Sequence, residues 1–387
     1  MNFGFSEEQE FLRAEVRKFL DQNAPIEAVR QIVETQEGFD RHLWNRMAEL
    51  GWVGLAMPQA HGGMGLGLVT LLVVLEETGR SLFPSPLIST VIAAKAIERF
   101  GSVEQQELWL PGLADGSRIG TFALLEQSDD LAPEGIELVA KPVAKLVAKS
   151  DAKPDGDELL LSGSKLYVPD ASVADLIVVA VRSGEAAEAV SLIVVESDAA
   201  GLAASDFPAM DLSKRLGKVE LSDVRVSVDS LLGPAGDAWP AIRWLIDLGA
   251  ALVTAETVGA AEQANQIAVD FAEERVQFGS PIGRFQGVKH PLAEMYVDIE
   301  SYKSLIYYAF WALDEDDASA ALAISRAKAY ASETFPEAGI NGVQLHGGVG
   351  YTWEYDIQLY LKRGKWMRPM FGDANYHYER IASLGGL

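Results

Sequence analysis

Residues 275–286 read RVQFGSPIGRFQ, directly after residues 240–274, whose apolar spacing is that of a buried helix. Phe278-Gly279 punctuates that pattern as a helix end does, and a second helical pattern resumes near 285. From there the chain reads as helix almost to its end, over about 237–275, 285–314, 317–345 and 373–384. Long helices with short joins make a bundle, so residues 233–387 are expected to form a C-terminal four-helix bundle. Pro336 falls inside the third pattern and should kink or divide it near Ser332–Phe335, because a proline removes a backbone donor and its ring crowds the preceding turn.

Upstream the pattern changes. ELLLSGSKLYV, ADLIVVAVR, AVSLIVVES and GKVELSDVRVSV are short, rich in Val, Ile and Leu, and separated by Gly, Pro, Asp and Ser. They predict a middle β domain over 118–232. Within it VAK recurs at Val139–Lys141, Val143–Lys145 and Val147–Lys149. Four-residue spacing places the lysines on one side of a helix or a strand, and a solvated sheet edge is their plainest use. Residues 1–117 read as helices: Ser6 with Gln9 makes a capping-box start, and further helices are expected at about 41–50, 68–82, 86–100 and 103–114. PQAHGGMGLG (58–67) lacks the preceding strand and the lysine of a phosphate loop, and reads as a turn. The fold class is α+β, mainly α: an N-terminal helical domain, a middle β domain and a C-terminal four-helix bundle.

Composition excludes several chemistries. The 387 residues include no cysteine, so disulfides, thiolate metal sites and thiol catalysis are out, and five histidines without an HExxH pair point away from zinc. No run of 18 uninterrupted apolar residues suggests a membrane span, and the acidic, amphipathic start lacks the order of a signal peptide, so a cytoplasmic location is expected. The net charge of −24, with no clustered Lys/Arg face, argues against nucleic acid. An anionic ligand would then depend on a few well-placed arginines, lysines or helix N-termini.

With RVQFGSPIGRFQ closing one long helix and GVQLHGGVGYT (342–352) closing another, the order of domains resembles the acyl-CoA dehydrogenase family. GWVGLAMPQAHGG (51–63), LLLSGSKLYV (159–168), DVRVSVDSLLG (223–233) and EYDIQLYLKRGK (354–365) extend the likeness over essentially the whole chain. The resemblance implies FAD, bound between the β domain and the bundle and held in part by a neighbouring subunit. It implies that Arg275 reaches the pyrophosphate across the dimer, where a planar guanidinium makes paired hydrogen bonds. Phe278 would pack near the adenine, Gln286 would bond the nucleotide half, and Gln344, Gly347 and Gly348 would meet the same dinucleotide. Phe-Gly and Gly-Gly also end helices with no ligand in sight, so a plain C-cap is the competing reading. In this family a carboxylate takes the α proton of an acyl-CoA thioester while the β hydrogen leaves as hydride to the flavin. Hydrogen bonds placed on the thioester oxygen stabilise the enolate charge.

The two positions at which the family carries its glutamate base match Phe371, in MFGDANYH, and Gly249, in IDLGAAL, and neither can accept a proton. Asp247 is the nearest acid on the helix, a displaced base if this chain has one. Phe371 would keep an oxyanion role through its backbone N–H, its ring narrowing the acyl cavity or simply packing in the core. Asp373 aligns with a residue that touches FAD and Asn375 stands beside it, so both are expected cofactor contacts. In the β domain Leu125 and Pro169 stand where flavin-facing threonines are usual, while Tyr167 replaces an aromatic that packs on the flavin ring. FGD with VPD resembles one subunit type of the bacterial heteromeric acyl-CoA dehydrogenases, several of which act on steroid side chains, in which the partner carries the base. The expected partners are an acyl-CoA substrate, electron-transfer flavoprotein as electron acceptor, and further subunits in a homo- or heterotetramer. A flavin-free structural or CoA-ester-binding subunit is the reading from a different class. RGKWMRP (363–369) and Lys214–Arg215 are candidate contacts for CoA phosphates, with salt bridges as their commoner use.

Overall fold

A computed structural model describes residues 4–143 and 158–386. The third VAK and most of the second lie outside these residues. The N-terminal helices are α1 (Glu7–Asn23), α2 (Ile26–Ile32), α3 (Arg41–Glu49), α4 (Gly67–Arg80), α5 (Leu87–Phe100) and α6 (Val103–Ala114). The Ser6/Gln9 capping box is present as expected, and Ser102/Gln105 forms a second at α6.

The β domain contains β1 (Gly120–Ala123), β2 (Ala140–Pro142), β3 (Glu158–Pro169), β4 (Leu176–Arg182), β5 (Val190–Glu196), β6 (Leu202–Asp206), β7 (Leu216–Ser227) and β8 (Leu231–Leu232). They form two four-stranded sheets, ordered β1-β4-β5-β8 and β2-β3-β7-β6. β1 runs parallel to β4 and the remaining pairs are antiparallel. LIVVAVR and VSLIVVE are continuous apolar runs because both faces of β4 and β5 are covered, α5 packing on β1 and β4. β7 alternates buried and exposed residues, as a strand with one wet face must. The register between β3 and β7 slips between Lys165 and Val168, where Tyr167 takes a left-handed φ of 54°. This bulge re-aims the end of β3.

The C-terminal domain holds α7 (Trp239–Glu274), α8 (Gln286–Asp314), α9 (Ala320–His346), α10 (Ile357–Met367) and α11 (Ala374–Gly385). The four expected helices are there, and α10 is a fifth that the apolar spacing did not reveal. The expected division at Pro336 is absent: α9 runs through it unbroken. Tertiary packing overrides the local preference here. Gly364 of α10 lies against Pro336, where a Cβ would come within 3.0 Å of the proline Cα, and Gly339 meets Leu361 in the same way. α7 is long and apolar enough to cross a membrane, but 94% of its most apolar window is buried inside the fold. It crosses α4 so closely that a Cβ on Gly79 would overlap the carbonyl oxygen of Glu256, and one on Gly259 that of Glu76. One continuous core joins all three regions around this crossing.

Candidate functional site

Two separate surfaces gather the residues singled out from the sequence. The first is an end of the bundle, where α7 stops, α8 starts and α9 stops. Phe271 stacks on His346 with ring centroids 4.1 Å apart, and His346 Nδ1 bonds the Gly342 carbonyl, so the two helix ends are tied together. Beyond them Arg275, Gln286 and Gln344 are exposed, and among the described residues the Arg275 guanidinium has no hydrogen-bond or ion-pair partner. Phe278 holds a left-handed φ of 53° and is 92% exposed, its ring edge-on to Phe285. A Cβ on Gly347 or Gly348 would meet nothing within 4 Å, so the bare backbone faces open space. A guanidinium, two amides, an uncovered ring and glycine backbone open to close approach suit a dinucleotide: charge-assisted pairs for the pyrophosphate and a flat face for the base.

The second surface is a cleft of about 410 Å³ beside the β domain. It brings together Leu125, Tyr167, Pro169 and Phe371. Phe122, Leu124, Phe207 and Trp366 add to a wall that is mostly hydrocarbon and aromatic ring, and Tyr167 leans on Phe207 with centroids 5.8 Å apart. The carbonyl of Pro169 already accepts from the Thr121 hydroxyl at 2.5 Å. An isoalloxazine ring would find an aromatic face in Tyr167. Positions 125 and 169 offer no hydroxyl for its polar edge, so the fit of the flavin half to this chain's own cleft is poorer than that of the dinucleotide to the bundle end.

Phe371 and Gly249, distant in sequence, meet. The place a Cβ would occupy on Gly249 lies 2.5–2.6 Å from the Phe371 ring carbons. Phe371 has a left-handed φ of 55° and Gly372 one of 97°, so the turn after α10 is unusual in two consecutive residues. A buried lysine and a buried neutral histidine fix it from below. Lys328 Nζ donates to the carbonyls of Gly372 at 2.7 Å and Arg368 at 3.1 Å, and to Ser332 Oγ at 2.8 Å. His377 Nε2 donates to the Phe371 carbonyl at 3.0 Å, leaving its buried Nδ1 without a partner among the described residues. Burial pushes Lys328 down to about 7 and His377 down to about 3. The Phe371 N–H makes no hydrogen bond among the described residues.

Asp373 caps α11, its side chain accepting from the Tyr376 N–H at 3.0 Å, and Asn375 is exposed beside it. Asp247 is buried, and Arg380 Nη2 donates to both its oxygens at 2.7 Å. Burial nevertheless raises its carboxyl to about 6. It is absent from the cleft lining. Several of the expected CoA-phosphate contacts are internal ion pairs instead. Arg363 Nε meets Asp211 at 2.6 Å and its Nη1 lies 3.2 Å from Glu256, which Lys214 reaches at 2.8 Å. Arg215 donates to the carbonyls of Val33 and Thr35. This network ties the loop at 211–215 to α7 and α10. Sequence reading missed Lys328 and His377, because nothing in the local pattern distinguishes a buried lysine under a turn from one on a wet helix face.

Comparison with known proteins bears on the family and the fold. Residues 6–117 match the acyl-CoA dehydrogenase N-terminal domain and residues 236–384 the acyl-CoA dehydrogenase C-terminal domain. The chain is 31% identical over 377 residues to acyl-CoA dehydrogenase IpdE2 of Mycolicibacterium smegmatis, covering 97% of this chain and 98% of the relative. Among solved structures, a variant of the Tcur3481-Tcur3483 steroid ACAD is 34% identical, with a TM-score of 0.85 and 98% of each chain covered. The ChsE4-ChsE5 complex from Mycobacterium tuberculosis is 26% identical, with a TM-score of 0.87, covering 100% of this chain and 99% of that one. With two domain models matched in order and near-complete coverage at this identity, the chain belongs to the acyl-CoA dehydrogenase family of flavin-dependent oxidoreductases.

Proposed function

We propose that this chain works as one subunit of an FAD-dependent acyl-CoA dehydrogenase assembly, completing a flavin site in a partner subunit that carries the catalytic base. The observation behind it is selective. The dinucleotide-facing set at the bundle end is intact and uncovered, whereas both base positions are taken by a phenyl ring lying on a glycine. The bound flavin supplies hydride acceptance at the β carbon. This chain's part is to hold the neighbour's cofactor: Arg275 grips the pyrophosphate, Gln286 and Gln344 bond the nucleotide half, Phe278 covers the adenine, and Gly347 and Gly348 let the backbone approach. Asp373 and Asn375 contribute to the opposite end of the flavin site, and Tyr167 retains its ring contact. Phe371 brings no proton acceptor to this chain's own cleft, so the base must come from the partner. Electrons then pass to electron-transfer flavoprotein. The steroid ACAD and the two-component ChsE4-ChsE5 complex among the relatives favour a bulky acyl group and a heteromeric assembly.

A homotetramer using Asp247 as base is the weaker alternative, because both oxygens of that carboxylate are engaged by Arg380. The test is to purify the chain alone and co-expressed with a second acyl-CoA dehydrogenase chain that carries the catalytic glutamate, reading flavin absorbance per protomer. The chain alone should be nearly colourless and the complex yellow. Arg275→Ala should weaken flavin retention by the complex on the order of tenfold to a hundredfold, the loss of one bidentate charged contact of about 1.5–3 kcal/mol. Stoichiometric FAD in the isolated chain, reduced quickly by an acyl-CoA, would overturn the proposal.

A further inference from the structure

We infer that Phe371 is a plug: its ring, seated on Gly249, closes the cleft toward α7 and keeps acyl thioesters out of this chain's own β-domain cleft. The inference rests on the acyl-CoA reading above and assigns the substrate to the partner's site. Three observations carry it. The cleft wall runs from Trp366 through Pro369 and Met370 to Phe371 and stops, with no residue of α7 in its lining among the described residues, although Gly249 lies directly behind the ring. The ring is held in place from its own backbone: a phenylalanine in left-handed geometry persists only where its surroundings over-determine it, and Lys328 and His377 fix the carbonyls of Arg368, Phe371 and Gly372. Gly249 answers the ring. Apart from proline, glycine is the least favourable residue in a helix interior, and here even a methyl group would overlap the phenyl carbons. One side chain thus fills both positions from which a carboxylate would act and the space its substrate would need. The unpaired N–H of Phe371 has, in consequence, no thioester oxygen to serve in this chain.

Two measurements on the full chain test the plug. Tryptophan fluorescence, with Trp366 in the cleft wall as reporter, is titrated with octanoyl-CoA and with free coenzyme A. Phe371→Ala should bind octanoyl-CoA at least about tenfold more tightly than coenzyme A, and the unaltered chain should show no such preference. Equal preference in both proteins, or none in the variant, overturns the plug. Phe371→Gly, which suits the positive φ, replaces the alanine variant if that fails to fold. Independently of any ligand, Gly249→Ala should lower the melting temperature of the unaltered chain and be tolerated in the Phe371→Ala background. Additive shifts would also overturn the plug. Neither readout involves flavin, so failure of the plug and failure of the proposed flavin assembly are told apart by Arg275→Ala.

Discussion

Gly259→Ala is expected to prevent folding of the chain or to destabilise it by about 4 kcal/mol or more, although it adds one methyl group to a buried apolar helix. The size follows from what the methyl would meet. A Cβ on Gly259 overlaps the Glu76 carbonyl oxygen and lies 2.7 Å from its carbonyl carbon and 3.0 Å from the Arg80 nitrogen. These are backbone atoms of α4 and cannot rotate away, so α4 and α7 must separate. Overpacking against side chains costs about 1–3 kcal/mol, and prising apart two buried helices also forfeits the close packing along their shared length. The crossing also anchors charge. Glu77 is held by Arg17 at 2.7 Å and Arg80 at 3.0 Å, and Glu256, on the α7 turn before Gly259, holds Lys214 and Arg363. Shifting either helix would leave buried carboxylates without partners, which is costly in itself. Gly79→Ala, on the other side of the crossing, should behave alike. Gly287→Ala, where a Cβ meets nothing within 4 Å, should be neutral or slightly stabilising. Urea unfolding, or the soluble fraction on expression, checks all three, and a Gly259→Ala chain as stable as Gly287→Ala would contradict the crossing.

Those glycines show how far sequence reading reaches. The long apolar spacing of 240–274 announced α7, because a 3.6-residue period survives any partner it packs against. Gly259 inside it was visible, but which helix it touched was not, since that depends on tertiary packing against Glu76 and Arg80. α10 stayed hidden because IQLYLKRGKWM carries a central glycine and three cations, one of which, Arg363, is fully buried by pairing with Asp211. At the bundle end Arg275 and Phe278 stood out where local pattern and charge disagree with their surroundings: a cation in an acidic chain and a ring beside a glycine at a helix stop. The partner of Phe371 was beyond reach, as positions 249 and 371 come together only through folding. That neither position holds a carboxylate is plain from the residues themselves; the fold adds that each position accounts for the other.

The turn that carries Phe371 makes the chain acid-sensitive through one histidine. His377 is fully buried, and burial, with Lys328 and Arg380 nearby, holds its ring down to about 3, whereas an unfolded chain's histidine titrates near 6.5. The unfolded state therefore binds more protons between these values, so stability from this group is complete above about 6.5 and falls as pH drops toward 3. At pH 4.5 the loss is roughly 2–3 kcal/mol, at about 1.4 kcal/mol for each pH unit below 6.5. Asp170 and Asp247, raised to about 6 by burial, act in the opposite sense, since protonation relieves their desolvation between about 6 and the ordinary aspartate value. The slope of the whole chain is thus a sum of opposing groups, and the diagnostic quantity is a difference. His377→Gln keeps an N–H for the Phe371 carbonyl and removes the titrating ring. Its urea midpoint should fall less than that of the unaltered chain between pH 7 and pH 4.5, by the equivalent of those roughly 2–3 kcal/mol. Parallel falls in the two proteins would mean that His377 is protonated in the folded state at pH 4.5, which a ring enclosed beneath that turn, with its Nδ1 unpartnered among the described residues, has no acceptor to support.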